Sequence, residues 1–363
     1  MKLKQFMHTA IFMAFGRQKL NRNISAGTLS RLLLSIRQFR KTDKYDTNEG
    51  ISMILSVSRR TDIPACYADW FYNRIKEGYM YVRNPVNPRQ VSRIILSPQV
   101  VDCIVFWTKN PAGMMQRLDE LEKYRYCFQF TVTGYGRDIE PGVGDKKEEI
   151  LPLFRQLSKE TGSECMTWLY DPVFVTPKYT MDYHVHAFEE IASCLCGYTE
   201  KVIVSFLTMY RKTERNMKDA EVKILTSDEM IRLAASFRRI ADRYGMRIQS
   251  CAEKVDLSPA GVCQGACIDR KQLEKITGVS LTGEKDRNQR ERCMCFSSID
   301  AGAYNTCLNG CRYCYANYSK STVIEKSSRY DPYSPILCDG IYPDDRISER
   351  KVFSLAEKQI SLF

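Results

Sequence analysis

From position 53 onward, short apolar runs alternate with longer stretches in which apolar residues recur every three or four positions. The short runs predict strands over 53–58, 103–107, 126–133, 166–170, 202–207 and 247–251, with 94–97 as an extra one. Between strands, Met230, Ile231, Ala234, Phe237, Ile240, Ala241 and Tyr244 fall at helical spacing. Ser227-Asp228-Glu229 caps that helix and Gly245 ends it. Pro64 opens another helix that stops near Gly78. Strands alternating with helices indicate βα units and a parallel sheet, hence an α/β fold with a full or partial TIM-like (β/α) barrel over 53–252. Past Cys251 the pattern gives way to a cysteine-rich segment, 253–318, expected to fold over the barrel mouth. A polar tail, 319–363, is expected to pack on the barrel.

Residues 1–52 read differently. They are basic and carry two weakly amphipathic pieces, at 11–20 and 29–39. A transit peptide would share that composition, and the apolar stretch at 10–15 is too short for a secretory signal. The reading adopted is an extension outside the fold or a mis-set start, because Met53 opens the first strand.

Charge changes this picture little. The chain carries a formal +11, but residues 1–50 hold ten Lys and Arg against Asp43, Asp46 and Glu49. The small excess left over the rest is no electrostatic footprint for DNA or RNA. Fifteen cysteines, an odd number, sit partly inside apolar runs (Cys103, Cys127, Cys165), where a reduced thiol behaves as a small hydrophobe. A disulfide-stapled secreted protein is usually much shorter, so reduced thiols and a cytoplasmic location are expected. No apolar run approaches the ~20 residues of a spanning helix, and no membrane partner is expected.

Candidate chemistry concentrates near the C-terminus. Cys307, Cys311 and Cys314 form C-x3-C-x2-C, with Tyr313 just before the third cysteine and Gly310 just before the second. Three thiolates on one loop can hold three irons of a [4Fe–4S] cluster and leave the fourth open to a chelating ligand. In radical S-adenosylmethionine (SAM) enzymes the amino and carboxylate groups of SAM fill it, and Cys307, Cys311, Tyr313 and Cys314 match that signature position by position. The competing reading is zinc, which in a structural site needs a fourth ligand from elsewhere. Upstream, Cys267, Cys293 and Cys295 with Cys251 or Cys263 would supply four thiolates, enough for an auxiliary [4Fe–4S] cluster or a zinc ion. Cys251 is preferred because it ends a predicted strand, and iron because the neighbouring motif already demands it.

In a barrel, chemistry gathers at the C-terminal strand ends. Here they read Ser58-Arg59-Arg60-Thr61-Asp62, Trp107-Thr108-Lys109-Asn110, Thr131-Val132-Thr133-Gly134-Tyr135, Tyr170-Asp171-Pro172, Tyr210-Arg211 and Cys251-Ala252-Glu253. Each alone has a bland role as a cap or turn; six on one rim predict a site. Arg59, Arg60 and Lys109 suit the SAM carboxylate, Trp107 its sulfonium end, and Asp62, Thr133 and Tyr313 complete the expected cofactor contacts. His184 and His186, two apart on a helix, point in different directions and are read as packed or solvated. Gly134-x-Gly136 lacks the third glycine of a dinucleotide loop.

From position 53 the chain resembles DUF1848, an uncharacterised bacterial family. The resemblance rests on Ser58-Arg59-Arg60-Thr61-Asp62-Ile63-Pro64, Phe106-Trp107-Thr108-Lys109-Asn110-Pro111, Thr131-Val132-Thr133-Gly134-Tyr135-Gly136, Tyr210-Arg211-Lys212-Thr213, the 303–317 loop and Gln359-Ile360-Ser361-Leu362-Phe363. Leu169 departs from the arginine expected before Tyr170-Asp171-Pro172, which weakens an anion-binding role there. The family's C-terminal cysteines are similar to those of radical SAM enzymes. The resulting expectation is an enzyme that cleaves SAM at a [4Fe–4S] cluster to a 5′-deoxyadenosyl radical acting on a small or medium substrate. A nucleobase-like compound is one candidate, including a 7-deazapurine lyase reaction. Its electron donor would be a flavodoxin or ferredoxin. The alternative is a zinc-stabilised α/β binding protein with structural cysteines, with nucleic acid as a candidate partner.

Overall fold

A computed structural model describes residues 53–350. The 1–52 extension and the last part of the tail lie outside the described residues. The main sheet has eight strands in the order β10-β1-β4-β5-β6-β7-β8-β9, every ladder parallel. Its strands are β1 (Met53–Val57), β4 (Val101–Thr108), β5 (Tyr126–Thr131), β6 (Met166–Val173), β7 (Lys201–Phe206), β8 (Arg247–Cys251), β9 (Cys263–Gly265) and β10 (Ile299–Asp300). Among the described residues no ladder joins β9 to β10, so the hydrogen bonding gives an open strand order rather than a closed barrel. A second, three-stranded sheet pairs β2 (Tyr79–Arg83) antiparallel to β3 (Gln90–Ile95), and β3 parallel to β11 (Arg346–Glu349).

Strand alternation sorts side chains onto two faces. Leu55, Val57, Ile104, Phe106, Phe128, Phe130, Trp168, Tyr170, Val202 and Val204 pack into one core with Phe188 and Phe237. The latter two come from α5 (Met181–Leu195) and α7 (Ser227–Arg243). Ile54, Cys103, Val105, Cys127, Leu169 and Ile203 point the other way, into a second core of smaller side chains. Burial on both faces explains why the strands read as near-continuous apolar runs. The second core is closed by Cys251, Cys267, Cys293, Cys295 and Phe296, and by Leu273 of α8 (Arg270–Thr277). Lys201 buries its ammonium there against Ala266 O (3.0 Å) and Asp269 Oδ2 (2.8 Å), which offset its desolvation.

Local signals set the helix ends within a residue or so. α7 begins one residue earlier than the sequence reading, at a capping box between Thr226 and Glu229. The helix expected after Pro64 is split at Tyr67 into α1 (Ile63–Cys66) and α2 (Ala68–Glu77). The split lets the Tyr67 hydroxyl donate to Thr306 O at 2.5 Å. Gly78, in the left-handed region at φ +76°, ends α2. The remaining helices are α3 (Ala112–Met115), α4 (Leu151–Thr161), α6 (Arg211–Asn216) and α9 (Lys320–Ser327). No helix among the described residues is long and apolar enough to cross a membrane.

Candidate metal centres

The loop carrying Cys307, Cys311 and Cys314 is pinned to the strand ends that the sequence singled out. Thr61 donates its hydroxyl to Ala303 O (2.6 Å). Asp62 caps α1 through Ala65 N (3.0 Å), and its other oxygen accepts from Lys109 N (2.7 Å) and Asn309 Nδ2 (2.9 Å). From the far side, Gly142 N donates to Asn309 O at 2.9 Å. A Cβ at 142 would stand 2.7 Å from that backbone, so only glycine permits the approach.

All three cysteines of this loop are half-buried. Cys307 lies within hydrogen-bond reach of the Cys66 thiol, and backbone N–H groups of Asp62 and Asn309 point at it; these contacts hold its thiol down while Cys66 is pushed up. Burial pushes Cys311 up against the pull of the Lys109 ammonium, and Cys314 up to about 11. Ala316 N donates to Cys314 Sγ at 3.4 Å.

Beside this loop Glu140 is buried whole. It accepts from Lys109 Nζ (2.8 Å), Lys146 Nζ (2.5 Å) and Thr133 Oγ1 (2.9 Å), and from the Tyr313 hydroxyl. Burial alone would raise its carboxyl, yet the two ammonium groups win and hold it at about 2. The Lys109 ammonium also lies 5.6 Å from the Tyr313 ring centroid. Three of the residues expected to contact SAM (Lys109, Thr133, Tyr313) therefore meet on one carboxylate.

The other cysteines form a tighter group. Cys251, at the end of β8, Cys293 and Cys295 have their sulfurs within 4.8 Å of one another, all buried. Cys267 is buried beside Cys251 and Cys295, outside that close trio. Ile268 N donates to Cys295 Sγ and Cys295 N to Cys293 Sγ, each at 3.5 Å. Hydrogen bonds from the neighbouring thiols push Cys295 down from the usual thiol range. Cys263, the other candidate, is exposed on the edge strand β9.

Arg59 stands over this group rather than beside Cys307. Its guanidinium lies 5.1 Å from the Trp107 ring, Nη1 donates to Ser298 Oγ (3.1 Å), and buried Nη2 has no partner. Burial would lower its pKa, but Cys295 and Asp300 raise it. Trp107 itself donates Nε1–H to Ser56 Oγ at 3.0 Å. Arg60 faces elsewhere: its guanidinium is 5.1 Å from the Tyr304 ring, and it lines a cavity of about 240 Å³ against β2. The seven expected cofactor residues thus divide among three surroundings.

A carboxylate pair lies at the strand ends near these groups. Glu253 accepts from Ser205 Oγ (3.0 Å) and Phe206 N (2.7 Å), and burial, with Asp171 nearby, pushes it up to about 7. Burial likewise raises Asp171, opposed by Arg290 and Lys109. Gln129, buried on β5, has an Oε1 without a partner. His184 is packed: Nδ1 meets the Tyr170 hydroxyl (2.8 Å) and Nε2 meets Phe174 O (2.7 Å), and burial lowers its pKa to about 4.

Sequence reasoning missed Glu140, Cys66, Arg290 and Gln129 as parts of the site. Glu140 sits in an unremarkable polar turn, and nothing in its neighbours announces two lysines. Cys66 had a weak signal, lying seven residues past Arg59 at the end of the short helix that follows that strand end.

Comparisons with known proteins add family membership and little else. No curated protein matches the chain. Among solved structures, a Bacteroides thetaiotaomicron protein assigned as an α-L-fucosidase matches at 12% identity, covering 58% of this chain and 76% of that one, with a TM-score of 0.25. The carboxyl transferase domain of Rhizobium etli pyruvate carboxylase, solved with pyruvate, matches at 11% identity over 66% of this chain and 44% of that one, with a TM-score of 0.27. A T882A form of the Rhizobium etli enzyme matches at 12% over 70% and 27%, also at 0.27. At such scores these likenesses carry no argument about activity. The family model for DUF1848, a domain of unknown function, matches residues 54–316, and the chain belongs to that family.

Proposed function

We propose that this protein is a radical SAM enzyme whose [4Fe–4S] cluster is held by Cys307, Cys311 and Cys314. The observation that carries the reading is the set of three half-buried thiols on one loop, which is docked by hydrogen bonds onto the C-terminal strand ends. The residues fit the group. The sulfurs are not drawn together to one-ion spacing, and backbone N–H groups aim at Cys307 and Cys314, as cluster thiolates require. When bound, such a cluster supplies the electron that splits the sulfonium C–S bond of SAM and leaves a 5′-deoxyadenosyl radical to abstract hydrogen.

The protein's own residues do the rest. Lys109 and Lys146, which share Glu140 as counter-charge, form an ordered wall beside Cys311. Tyr313 holds its ring there by donating to the same carboxylate. Asp171, Glu253 and Arg290 offer hydrogen-bonding and charge to a small or medium substrate rich in N–H and O–H groups, of nucleobase-like chemistry. A flavodoxin or ferredoxin would deliver the electron.

Anaerobically purified protein is expected to be brown, with roughly four irons per chain from this cluster. With dithionite and SAM it should release 5′-deoxyadenosine, and Cys311→Ala should abolish that release. A colourless, iron-free preparation, or cleavage undiminished in the variant, would sink the assignment.

A further inference from the structure

We infer that Cys251, Cys267, Cys293 and Cys295 hold a single zinc ion in a closed tetrahedral site, not a second iron–sulfur cluster. Sulfur spacing decides between the two. Zinc–sulfur bonds of about 2.3 Å in a tetrahedron place the sulfurs about 3.8 Å apart. A [4Fe–4S] cube carries each thiolate on its own iron, pointing outward, and spreads the sulfurs to about 6 Å. The sulfurs of Cys251, Cys293 and Cys295 all lie within 4.8 Å of one another, and Cys267, outside that trio, neighbours Cys251 and Cys295 as the fourth available thiol. Among the described residues no other trio of ligating side chains is drawn so close, so Cys307, Cys311 and Cys314 do not share this spacing.

The surroundings suit a tetrathiolate. Four thiolates around one Zn²⁺ leave a net charge of −2, and removing that from water needs compensation. Two backbone N–H groups donate to Cys293 and Cys295. Arg59 supplies a buried guanidinium whose Nη2 has no other partner. Four protein ligands leave no position for a substrate, so the ion is structural: it ties the end of β8 to the 263–269 and 293–296 segments over the second face of the sheet.

Metal analysis of the full-length protein tests this, together with zinc-edge X-ray absorption on the wild type. About one zinc per chain is expected, with four sulfur neighbours at about 2.3 Å. The triple variant Cys307→Ala, Cys311→Ala, Cys314→Ala should lose its iron and keep the zinc. Iron remaining in the triple variant, as a cube or a single ion, overturns the inference, as does a zinc-free wild type. If the triple variant does not fold, the absorption spectrum of the wild type decides alone. The two assignments fail separately: loss of SAM cleavage would leave the zinc content untouched, and the reverse holds as well.

Discussion

The two cysteine groups lie on one molecule and are built in opposite ways. Cys307, Cys311 and Cys314 come from a single loop, are half-buried, and keep their sulfurs apart. Cys251, Cys267, Cys293 and Cys295 come from three separate segments and are buried, and the sulfurs of Cys251, Cys293 and Cys295 crowd together with Cys267 beside them. The first arrangement suits a cofactor that must keep one face open to a ligand. The second suits an ion that cross-links a part of the chain with little regular structure. Cysteine count alone would have treated them as equals; accessibility and spacing separate them.

The largest expected contrast comes from removing one ligand of each. Cys293→Ser should lose zinc and unfold, because metal binding in such modules amounts to about 10–16 kcal/mol of folding free energy. Cys311→Ala should lose iron while its melting temperature stays near that of the wild type. Differential scanning fluorimetry separates the two, and equal destabilisation would erase the distinction.

Next is Glu140→Gln, which leaves Lys109 and Lys146 buried without a counter-charge. A cost of about 3–5 kcal/mol is expected in urea unfolding. The pH dependence has a definite sign. The Glu140 carboxyl is held at about 2 when folded against 4.5 ordinarily, so its contribution is complete above pH 4.5 and fades as pH falls toward 2. Glu140→Gln should flatten the stability profile in that window, and a profile as steep as the wild type's would show that the lysines do not govern this carboxylate.

A smaller effect is expected at Arg59. Arg59→Gln removes a charge beside the four-thiolate group, so competition with a chelator should reveal zinc held about tenfold more weakly, with iron content unchanged. Iron loss instead would place Arg59 with the other group. The smallest effect belongs to Cys263→Ser, which should change neither metal nor stability. Zinc loss there would mean that Cys263, not Cys251 or Cys267, is a ligand.

Much of this was legible in the sequence. The six main strands follow from apolar runs buried on both faces, and their polar ends do gather near one another. The C-x3-C-x2-C spacing needed no tertiary knowledge, since a loop of that length keeps its thiols together whatever surrounds it. The β2–β3 hairpin was caught only in part, because its strands are half-exposed and carry arginines that mask the alternation. The short edge strands β9 and β10 have too few residues for any period to show. Glu140 was invisible because its partners come from β4, from the 146–150 turn and from the cysteine loop.

The sequence by itself determined the α/β alternation, the three-thiol loop and the five upstream cysteines from which four ligands could come. Local pattern and spacing suffice for these, because each depends on residues close along the chain. Only the tertiary structure decided which charges those residues face and how far apart the sulfurs stand. Arg59, written beside Arg60, turns toward the tight cysteine group while Arg60 turns to Tyr304. The choice between one ion and a cluster rests on ångström differences between segments far apart in the chain, and packing against the second core sets those distances.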